Sequence, residues 1–490
     1  MRKIILHSTF IIIILCAIPL IAAAQIFPIA NGSDNTMGGG GAFDGTNMLL
    51  SILGDSTGPN AITVQRVSPG GTLVGSRIAT GKTGSSPMLA FDGSRYLMVW
   101  TDVFPIFAGG DTNGIGNIYG QFIETSGASS GNSFTIATDV NIKFGQGRGS
   151  IQCYDTTYII TYVKGPDHHT DYLYAQRIGK SGALIGTPVQ ISSQYAREHA
   201  VAFDGTNFLI AWCKVDHPAT DDEIMGQLLS SSGALVGGNF VIDGSEVASD
   251  NPVTMVFDGS RYLVMFHDQA IADGDWNLIG RFVTPSGTPA ERFLICDSTK
   301  SPFYVTAAFD GRNYMITWIE RAGSTRIRGQ YYTVAGTPIN SAFTLFDTSG
   351  GKFPMGGVGG FLEGHFFVSA VMIDSALSDL DIYGLLWNPS PTAIGENGSQ
   401  NSVRTFALDQ NFPNPFNPST TITYSLSSDG PVLLTVSDLL GRTVATPVNE
   451  IQHRGTHRIT FNAGNLSSGV YIYSLRAGLF TDIKKMILMR

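Results

Sequence analysis

Acidic residues and histidines gather in four segments of the sequence, each after an apolar run with the length of a β-strand. The four groups are Asp167, His168, His169 and Asp171; Asp216, His217, Asp221, Asp222 and Glu223; His267, Asp268, Asp273 and Asp275; and Asp374, Asp379 and Asp381. Carboxylates ligate hard cations, and a pair of carboxyl groups can supply the acid and base that cleave a glycosidic bond. The residue types therefore suit a cation site, a glycan-active site or a solvated acidic rim.

None of the spacings among these residues matches a calcium-binding loop or a hydrolase signature. We therefore assign no catalytic residue, no metal ligand and no cofactor, although a bound divalent cation is compatible with the residue types. If the segments form a ligand-binding site, we expect its residues to be Asp216, His217, Asp221, Asp222, Asp273 and Asp275.

The segments recur because the middle of the chain is an internal repeat. One phrase consists of an apolar pair, Asp-Gly, two polar residues and an apolar strand ending in an aromatic residue. Its acidic position falls at 44, 92, 155, 204, 258, 310 and 363. A second phrase carries Gly-Gln or a variant of it, and a third reads Phe-x-Ile. Because Asp-Gly between apolar runs predicts a tight hairpin, each unit of about 50 residues holds four strands.

The second strand of each unit is apolar on both faces. In one copy Tyr96 and Trp100 point one way, while Leu97 and Val99 point the other. Such a strand must be covered on both sides, which the stacked blades of a propeller achieve. We predict an all-β protein with a seven-bladed β-propeller over residues 25–388. A stack of β-sandwich domains is the alternative, but a unit of about 50 residues is too small for a sandwich.

Details of the repeat lead to further expectations. The seventh unit lacks its own Phe-x-Ile after Trp387, whereas the run from Phe27 to Ala30 matches that phrase, so we expect this N-terminal strand to complete the last blade. The Gly of the third strand is expected to let a neighbouring backbone approach. We expect the recurrent Asp to bond the turn backbone rather than calcium. We expect the recurrent aromatic residues to be core rather than sugar platforms.

The direction of the chain places the acidic segments on the same face of the ring as the connections between units. The short Asp-Gly and Ser-Gly turns lie on the opposite face. The acidic segments differ in length from unit to unit, whereas the short turns are nearly constant. Function concentrates on variable loops held by a rigid scaffold, so we expect any binding or catalysis on the acidic face.

The N-terminus has the features of a cleavable signal peptide over residues 1–24. Arg2 and Lys3 begin it, an apolar run ends at Ile21, and three alanines follow. The run is short for a membrane span of about 20 residues, which favours cleavage over an anchor. We expect a mature chain that begins at Gln25 and contains no transmembrane helix.

The composition narrows the classes of partner. Charged residues make up 14% and Gly accounts for 58 of 490 residues, which favours short strands and tight turns. The formal net charge of −9 argues against nucleic acid, because phosphate binding needs a basic surface. Cys16 leaves with the signal peptide. The remaining Cys153, Cys213 and Cys296 are widely spaced and odd in number, so we expect neither a disulfide framework nor a metal site.

The sequence changes character after residue 388. Residues 389–404 lack an apolar period and indicate a linker. Residues 405–490 alternate apolar and polar positions between Gly and Ser turns, which predicts a small β-sandwich. Ten residues of this region form a set of short, separated motifs, which we call the tail motif: Asn411, Pro413, Asn414, Pro415, Phe416, Asn417, Pro418, Gly469, Tyr471 and Lys485.

These motif residues, in this order and spacing, resemble the type A C-terminal sorting domain of type IX secretion system cargo. The resemblance covers residues 405–490 and does not extend to the propeller. It implies an immunoglobulin-like fold for this domain and the type IX secretion machinery as a partner. It also implies a secreted or outer cell-surface location, reached through the periplasm.

Three hypotheses for function follow from these features. The first is a non-catalytic binding protein, secreted or at the cell surface, for an unknown ligand such as a glycan or a protein. The second is a polysaccharide-active enzyme that uses the loop carboxylates of the propeller. The third is a structural component of the envelope. A pair of inward-facing carboxylates about 5 to 10 Å apart would favour the enzyme.

Overall fold

The computed structural model of the protein divides into two compact units, residues 1–392 and residues 393–490. The residues that it describes are 25–30, 37–55, 58–102, 114–142, 151–155, 157–165, 171–214, 222–247, 254–269, 276–348, 352–355, 359–362, 365–374, 380–387, 407–408, 411, 414, 416–426, 430–438, 442–452, 455–464, 466–477 and 480–488. The predicted signal peptide and the predicted linker lie outside them. Their boundaries therefore stay predictions.

The strands of the first unit follow the predicted repeat. The N-terminal strand, β1, spans Gln25–Ala30. The others form seven groups in chain order: β2 Met37–Phe43, β3 Met48–Asp55, β4 Gly58–Val67 and β5 Leu73–Thr83; β6 Ser85–Phe91, β7 Arg95–Thr101, β8 Gly114–Glu124 and β9 Ser129–Ile142; β10 Ile151–Tyr154, β11 Thr157–Lys164, β12 Tyr172–Gly179 and β13 Leu184–Gln190; β14 Ala196–Phe203, β15 Asn207–Lys214, β16 Asp222–Ser230 and β17 Leu235–Val247; β18 Thr254–Phe257, β19 Tyr262–Gln269, β20 Trp276–Val283 and β21 Pro289–Cys296; β22 Pro302–Phe309, β23 Asn313–Glu320, β24 Arg326–Thr333 and β25 Phe343–Phe346; β26 Lys352–Met355, β27 Gly359–Leu362, β28 His365–Asp374 and β29 Leu380–Trp387.

Each group forms one antiparallel sheet in which consecutive strands pair; in the seventh sheet β26 and β27 both pair with β28. The first strands of neighbouring sheets contact one another, as β14, β18 and β22 do, so they lie at the centre of a ring. The prediction of an all-β protein with a seven-bladed β-propeller is confirmed. We call this unit the propeller and number its blades 1 to 7 in chain order. The only helix within the described ranges is the 3₁₀ turn Ser298–Lys300, and none there is long and apolar enough to cross a membrane.

The hydrophobic cores lie between blades rather than inside them. One cluster joins Leu209 of blade 4 to Tyr262 of blade 5, and another joins Leu50 of blade 1 to Phe367 of blade 7. Each blade therefore buries both of its apolar faces against two neighbours. Trp212, one of the recurrent aromatic residues, is completely buried, which confirms its predicted place in the core.

The N-terminal strand closes the ring. β1 pairs antiparallel with β29 of blade 7, with Phe27 opposite Gly384. In blade 2 the third and fourth strands pair in the equivalent way, with Phe134 of β9 opposite Gly120 of β8. β1 therefore occupies the position of the fourth strand of blade 7, as the sequence predicted.

The glycine of the third strand has a different role from the one expected. A Cβ added to Gly120 would lie 2.6 Å from the ring of Phe134, and one added to Gly384 would lie 2.5 Å from the ring of Phe27. The expectation of an approaching neighbour backbone is wrong here, because the aromatic ring of the same blade's fourth strand lies across the glycine. That ring also reaches the next blade, since a Cβ on Gly71 of blade 1 would lie 2.8 Å from the ring of Phe27.

Two recurrent polar residues satisfy the backbone of each blade. Gln121 is buried, and its Nε2 donates to the carbonyl oxygens of Phe122 and Ser130 at 3.2 and 2.8 Å, where the fourth strand bulges. Asp44 Oδ1 accepts from the backbone N–H groups two and three residues later, at 2.7 and 2.6 Å. The predicted turn role of the recurrent Asp is therefore confirmed. The same pair of bonds forms at Asp92, Asp204, Asp258 and Asp310.

The second unit, which we call the tail, is a small β-sandwich. Its described strands are β30 Ala407–Leu408, β31 Ser419–Leu426, β32 Gly430–Ser437, β33 Thr443–Gln452, β34 Gly455–Asn462, β35 Gly469–Ala477 and β36 Phe480–Leu488. One sheet has the order β30-β31-β34 and the other the order β33-β32-β35-β36. Side chains of both sheets, such as Tyr424 and Tyr473, share one core. The predicted sandwich is confirmed, and its immunoglobulin-like character stays a prediction.

The closing role of β1 can be tested with Phe27→Ala. The Phe27 side chain is 8% exposed and packs in the cluster that joins blades 1 and 7. Its loss should lower the free energy of unfolding of the propeller by about 3 to 5 kcal/mol in urea denaturation. Ile26→Ala is the matched control, because Ile26 lies on the same strand but is 52% exposed, and it should cost less than about 0.5 kcal/mol. A small and equal effect of both substitutions would contradict closure by β1.

Candidate functional site

The loop face of the propeller is the end at which the second strands stop and the first strands begin. Most of the predicted ligand-binding residues lie outside the described part of this face: Asp216, His217, Asp221, Asp273 and Asp275. Asp222 begins β16, where its backbone pairs with Val247, and its side chain is not described. The grouping of these six residues therefore stays a prediction.

The acidic residues that are described on the loop face bind nearby donors. Asp102 accepts from Asn117 Nδ2 at 3.0 Å and from the Tyr119 hydroxyl at 3.2 Å. Three ion pairs follow the same pattern: Lys214–Glu223 at 2.9 Å, Arg328–Glu320 at 3.4 Å and Lys352–Asp381 at 2.6 Å. Each contact joins strands of one blade. Asp102 is thereby fixed just after the end of β7, and Glu223 near the start of β16.

A further charge network joins blades 4 and 5. Asp243 is 1% exposed and lies 3.0 Å from an Arg281 nitrogen and 3.5 Å from an Arg292 nitrogen. Arg292 also pairs with Asp268. A buried carboxylate left without its cation would be strongly destabilising, so this network holds the two blades in register. Asp268, grouped by the sequence with the loop carboxylates, is part of it.

Two buried histidines lie near the loop face. His267 is completely buried, 6.2 Å from the ring of Trp276 and 6.4 Å from the ring of Phe303 in blade 6. Neither of its ring nitrogens makes a hydrogen bond of standard geometry within the described residues. His199 Nε2 lies 3.2 Å from the carbonyl oxygen of Thr161 in blade 3. Burial lowers the pKa of both histidines to about 4, so both are neutral at pH 7.

The burial of His267 corrects one expectation. The sequence placed this residue among the polar loop residues, whereas it is the sixth residue of β19 and belongs to the interior of the propeller. The strand continues three residues beyond the apolar run that ends at Phe266, and burial continues through His267 and Asp268. It is therefore a stability element rather than a ligand candidate.

The tail motif ties the entry of the tail to both of its sheets. Asn411 is 1% exposed, and its Nδ2 donates to Thr420 Oγ1 on β31 at 2.9 Å. Its backbone N–H donates to the Tyr473 hydroxyl on β35 at 2.8 Å. The buried ring of Phe416 lies 6.4 Å from the ring of Phe461. The motif is thus part of the fold of the sandwich.

Asn414 and Phe416 also bond the last strand. The Ile487 N–H donates to Asn414 Oδ1 at 2.8 Å, and the Phe416 N–H donates to the Ile487 carbonyl oxygen at 2.9 Å. Asn414 Nδ2 donates to the Lys485 carbonyl oxygen at 3.4 Å. Phe416 and Leu488 form a parallel β-bridge. The motif therefore covers this end of the edge of β36.

The remaining motif residues divide between core and surface. Tyr471 is 8% exposed, and its hydroxyl donates to the Ser467 carbonyl oxygen at 2.8 Å. Gly469 is exposed, and apart from its two chain neighbours no atom of the described residues lies within 4 Å of the place its Cβ would take, so the described part of the tail does not require glycine there. Asn417, Pro418 and Lys485 are exposed, and Pro413 and Pro415 lie outside the described residues.

Sequence reasoning missed the two partners of Asn411. Tyr473 lies 62 positions along the chain from Asn411, and Thr420 belongs to an ordinary alternating strand. A contact at that separation leaves no local pattern. The one available signal was the tyrosine itself, because a buried tyrosine in a sandwich usually bonds a polar group through its hydroxyl.

Comparison with known proteins identifies the tail. Residues 410–489 match the family of secretion system C-terminal sorting domains. The resemblance to sorting domains is thereby confirmed for this part of the chain, which directs the protein to the cell surface or out of the cell. No curated protein matches the sequence.

Three solved structures are similar to the chain at low identity. A protein of unknown function from Dyadobacter fermentans is 11% identical, with 61% of this chain and 93% of that chain covered and a TM-score of 0.42. The β-propeller domain of the trilobed protease from Pyrococcus furiosus is 10% identical, with 72% and 96% covered and a TM-score of 0.44. PorZ, a surface component of the type IX secretion system of Porphyromonas gingivalis, is 11% identical, with 90% and 64% covered and a TM-score of 0.33. These similarities assign neither a ligand nor an activity to this chain.

The buried histidines predict a loss of stability in mild acid. The pKa of His267 is about 4 in the folded protein against an unfolded value of 6.5, so the unfolded state binds more protons between these values. The free energy of unfolding therefore keeps its full value above pH 6.5, where the histidines are neutral in both states. It should fall by roughly 2 to 3 kcal/mol per histidine by pH 4.5, because the unfolded state then binds protons that the folded state does not. Urea denaturation at a series of pH values measures this slope.

His267→Leu should remove about half of the slope, because it deletes one of the two buried imidazoles. Met265→Ala is the matched control, since Met265 is also completely buried on β19 but does not titrate; it should lower stability equally at all pH values. An unchanged slope in His267→Leu would show that other groups cause the acid sensitivity.

Proposed function

We propose that this protein is a non-catalytic binding protein whose propeller presents a ligand-binding loop face outside the cell. The tail supplies delivery, and the propeller supplies a rigid scaffold. The observation that carries the proposal is the contrast between the two faces of the ring. One is built from short turns bonded by a recurrent Asp. On the other, the segments between second and third strands differ in length along the sequence, and charged residues pair at strand ends beside them.

The state of the described carboxylates favours binding over catalysis. A general acid and its partner must approach a substrate, and in glycosidases the two carboxyl groups lie about 5 to 10 Å apart with access to the glycosidic bond. Asp102, Glu223, Glu320 and Asp381 instead bind donors of their own blades. They stabilise the frame of the face. A polysaccharide-active enzyme would need its carboxylates from the loops beyond the described residues, and it remains the second candidate beside a structural envelope protein.

Export by the tail predicts the fate of a truncated chain. Deletion of residues 405–490 should leave the propeller folded but trapped in the periplasm, because the two units have separate hydrophobic cores. Cell fractionation with immunoblotting measures location, and the urea midpoint of the purified truncation checks the fold. Surface delivery of the truncated protein at the level of the full chain would contradict a sorting role for the tail.

The loop face can be tested with a glycan array, probed with the purified full chain. Replacement of Asp216, Asp221, Asp222, Asp273 and Asp275 together by Asn should abolish binding to any glycan retained, while the melting temperature stays nearly unchanged. Asp44→Asn on the opposite face is the control and should leave glycan binding intact. Equal binding by the fivefold variant would move the site away from these loops. Hydrolysis of a retained glycan would favour the enzyme.

A further inference from the structure

The two outer faces of the tail sandwich differ in chemistry. On the sheet β30-β31-β34 the outward positions are polar, with Thr421 opposite Thr460 and Thr423 opposite Arg458. On the other sheet Tyr471, Tyr473 and Met486 point into the core. The alternate positions on β35 and β36 therefore point outward, and four of them are apolar: Val470, Ile472, Ile483 and Ile487.

These four side chains form one surface, which we call the β35–β36 face. Val470 lies directly opposite Ile487 in the strand pairing. Ile472 is opposite Lys485 and therefore has Ile483 and Ile487 at its two diagonal positions, within reach of its side chain. Ile483 is 58% exposed, more than any other large hydrophobic side chain in the described part of the chain. The side chains of the β35–β36 face point away from the hydrophobic core of the tail and add nothing to it.

The charge around the face indicates the chemistry of its partner. Arg476 and Lys485 are exposed at outward positions of the same two strands. Residues 405–490 hold seven Lys and Arg against five Asp and Glu, whereas the full chain holds 30 against 39. A basic surface on a domain of an otherwise acidic chain suits a partner with carboxylates around an apolar groove.

The same charges argue against a lipid surface. Binding to anionic lipid typically uses clusters of about four to eight Lys and Arg, and the β35–β36 face carries two. Two cations beside an apolar row instead match the pattern of a protein interface, in which an apolar centre is surrounded by a polar rim.

The structure also argues for docking on the face rather than at the edge. An extended partner segment could add to an exposed sheet edge through backbone hydrogen bonds. At the C-terminal end of β36 that position is taken, because Asn414 and Phe416 already bond Ile487. At this end of β36 a partner therefore engages outward side chains rather than the backbone.

We propose that the β35–β36 face is the surface through which the tail docks on an acidic-rimmed protein of the secretion machinery. The proposal rests on the proposed delivery role of the tail and adds to it the residues that make the contact. Ile483 is the centre of the contact, and Lys485 and Arg476 pair with carboxylates of the partner.

The test compares two charge insertions in the full chain, expressed in the producing cell. Ile483→Glu places a carboxylate at the centre of the face and should lower the surface-to-periplasm ratio of the protein about tenfold or more. Thr460→Glu is the matched control, because it adds the same side chain at an exposed position of the polar face, and it should leave export unchanged. Resistance of each purified full-length variant to trypsin checks that the tail stays folded.

Lys485→Glu provides a second arm that leaves the apolar row intact. It should reduce export less than Ile483→Glu does, and it decides the question if Ile483→Glu proves sensitive to trypsin. Normal export of folded Ile483→Glu, or of Lys485→Glu in its place, would overturn the docking face. If the tail deletion is still retained in the periplasm, the sorting role stands while the face fails.

Two other occupants of the face have distinct signatures. Co-sedimentation of the purified full chain with vesicles containing anionic phosphatidylglycerol, lost in Ile483→Glu, would overturn the protein partner in favour of a membrane. A fall in the urea midpoint of the propeller in Ile483→Glu would overturn it in favour of the chain's own propeller. Unchanged values in both measurements, together with lost export, are the result that the docking face predicts.

Discussion

The burial of both faces of every blade is the constraint on which the propeller depends. A four-stranded sheet whose second strand is apolar on both sides is stable only between two others. A linear row of such sheets would leave the outer faces of its first and last members in water. Pairing of β1 with β29, and the shared cluster of Leu50 and Phe367, remove those two ends. The ring exists because the chain returns its first strand to its last blade.

Closure explains why so many recurrent residues are structural. Where the ring closes, Phe27 makes the same contacts that Phe134 makes between blades 2 and 3. Its ring lies across the third-strand glycine of blade 7 and reaches the glycine of a turn in blade 1. Gln121 satisfies the bulge of the fourth strand, and the Asp of the first turn bonds backbone. On the face of the ring that carries the short Asp-Gly and Ser-Gly turns, the recurrent residues therefore serve the stability of the fold. On the loop face the connecting segments can vary in length and charge. The tail is a separate sandwich that carries the sorting signal.

Repetition made most of this fold predictable. A phrase that returns seven times predicts the blades, and the absence of its last element after Trp387 predicts the borrowed strand. Contacts between distant residues left no such trace. The ring of Phe134 over Gly120 depends on a side-chain direction, and Asn411 meets Tyr473 across the whole tail. His267 looked like a loop residue because polarity alone does not show that a strand continues through it. In β35 and β36 apolar residues occur on both faces of the strands, so the sequence alone does not tell which of them face the core.

Native-state hydrogen exchange of residues 25–30 and 380–387 tests closure most directly. If β1 closes the ring, the amides of β1 and β29 should exchange with one common opening free energy, close to that of β16 in blade 4, because all three strands open only when the ring opens. Exchange of β1 at the rate of an exposed loop, with β29 and β16 still protected, would contradict the claim that the N-terminal strand holds the propeller closed.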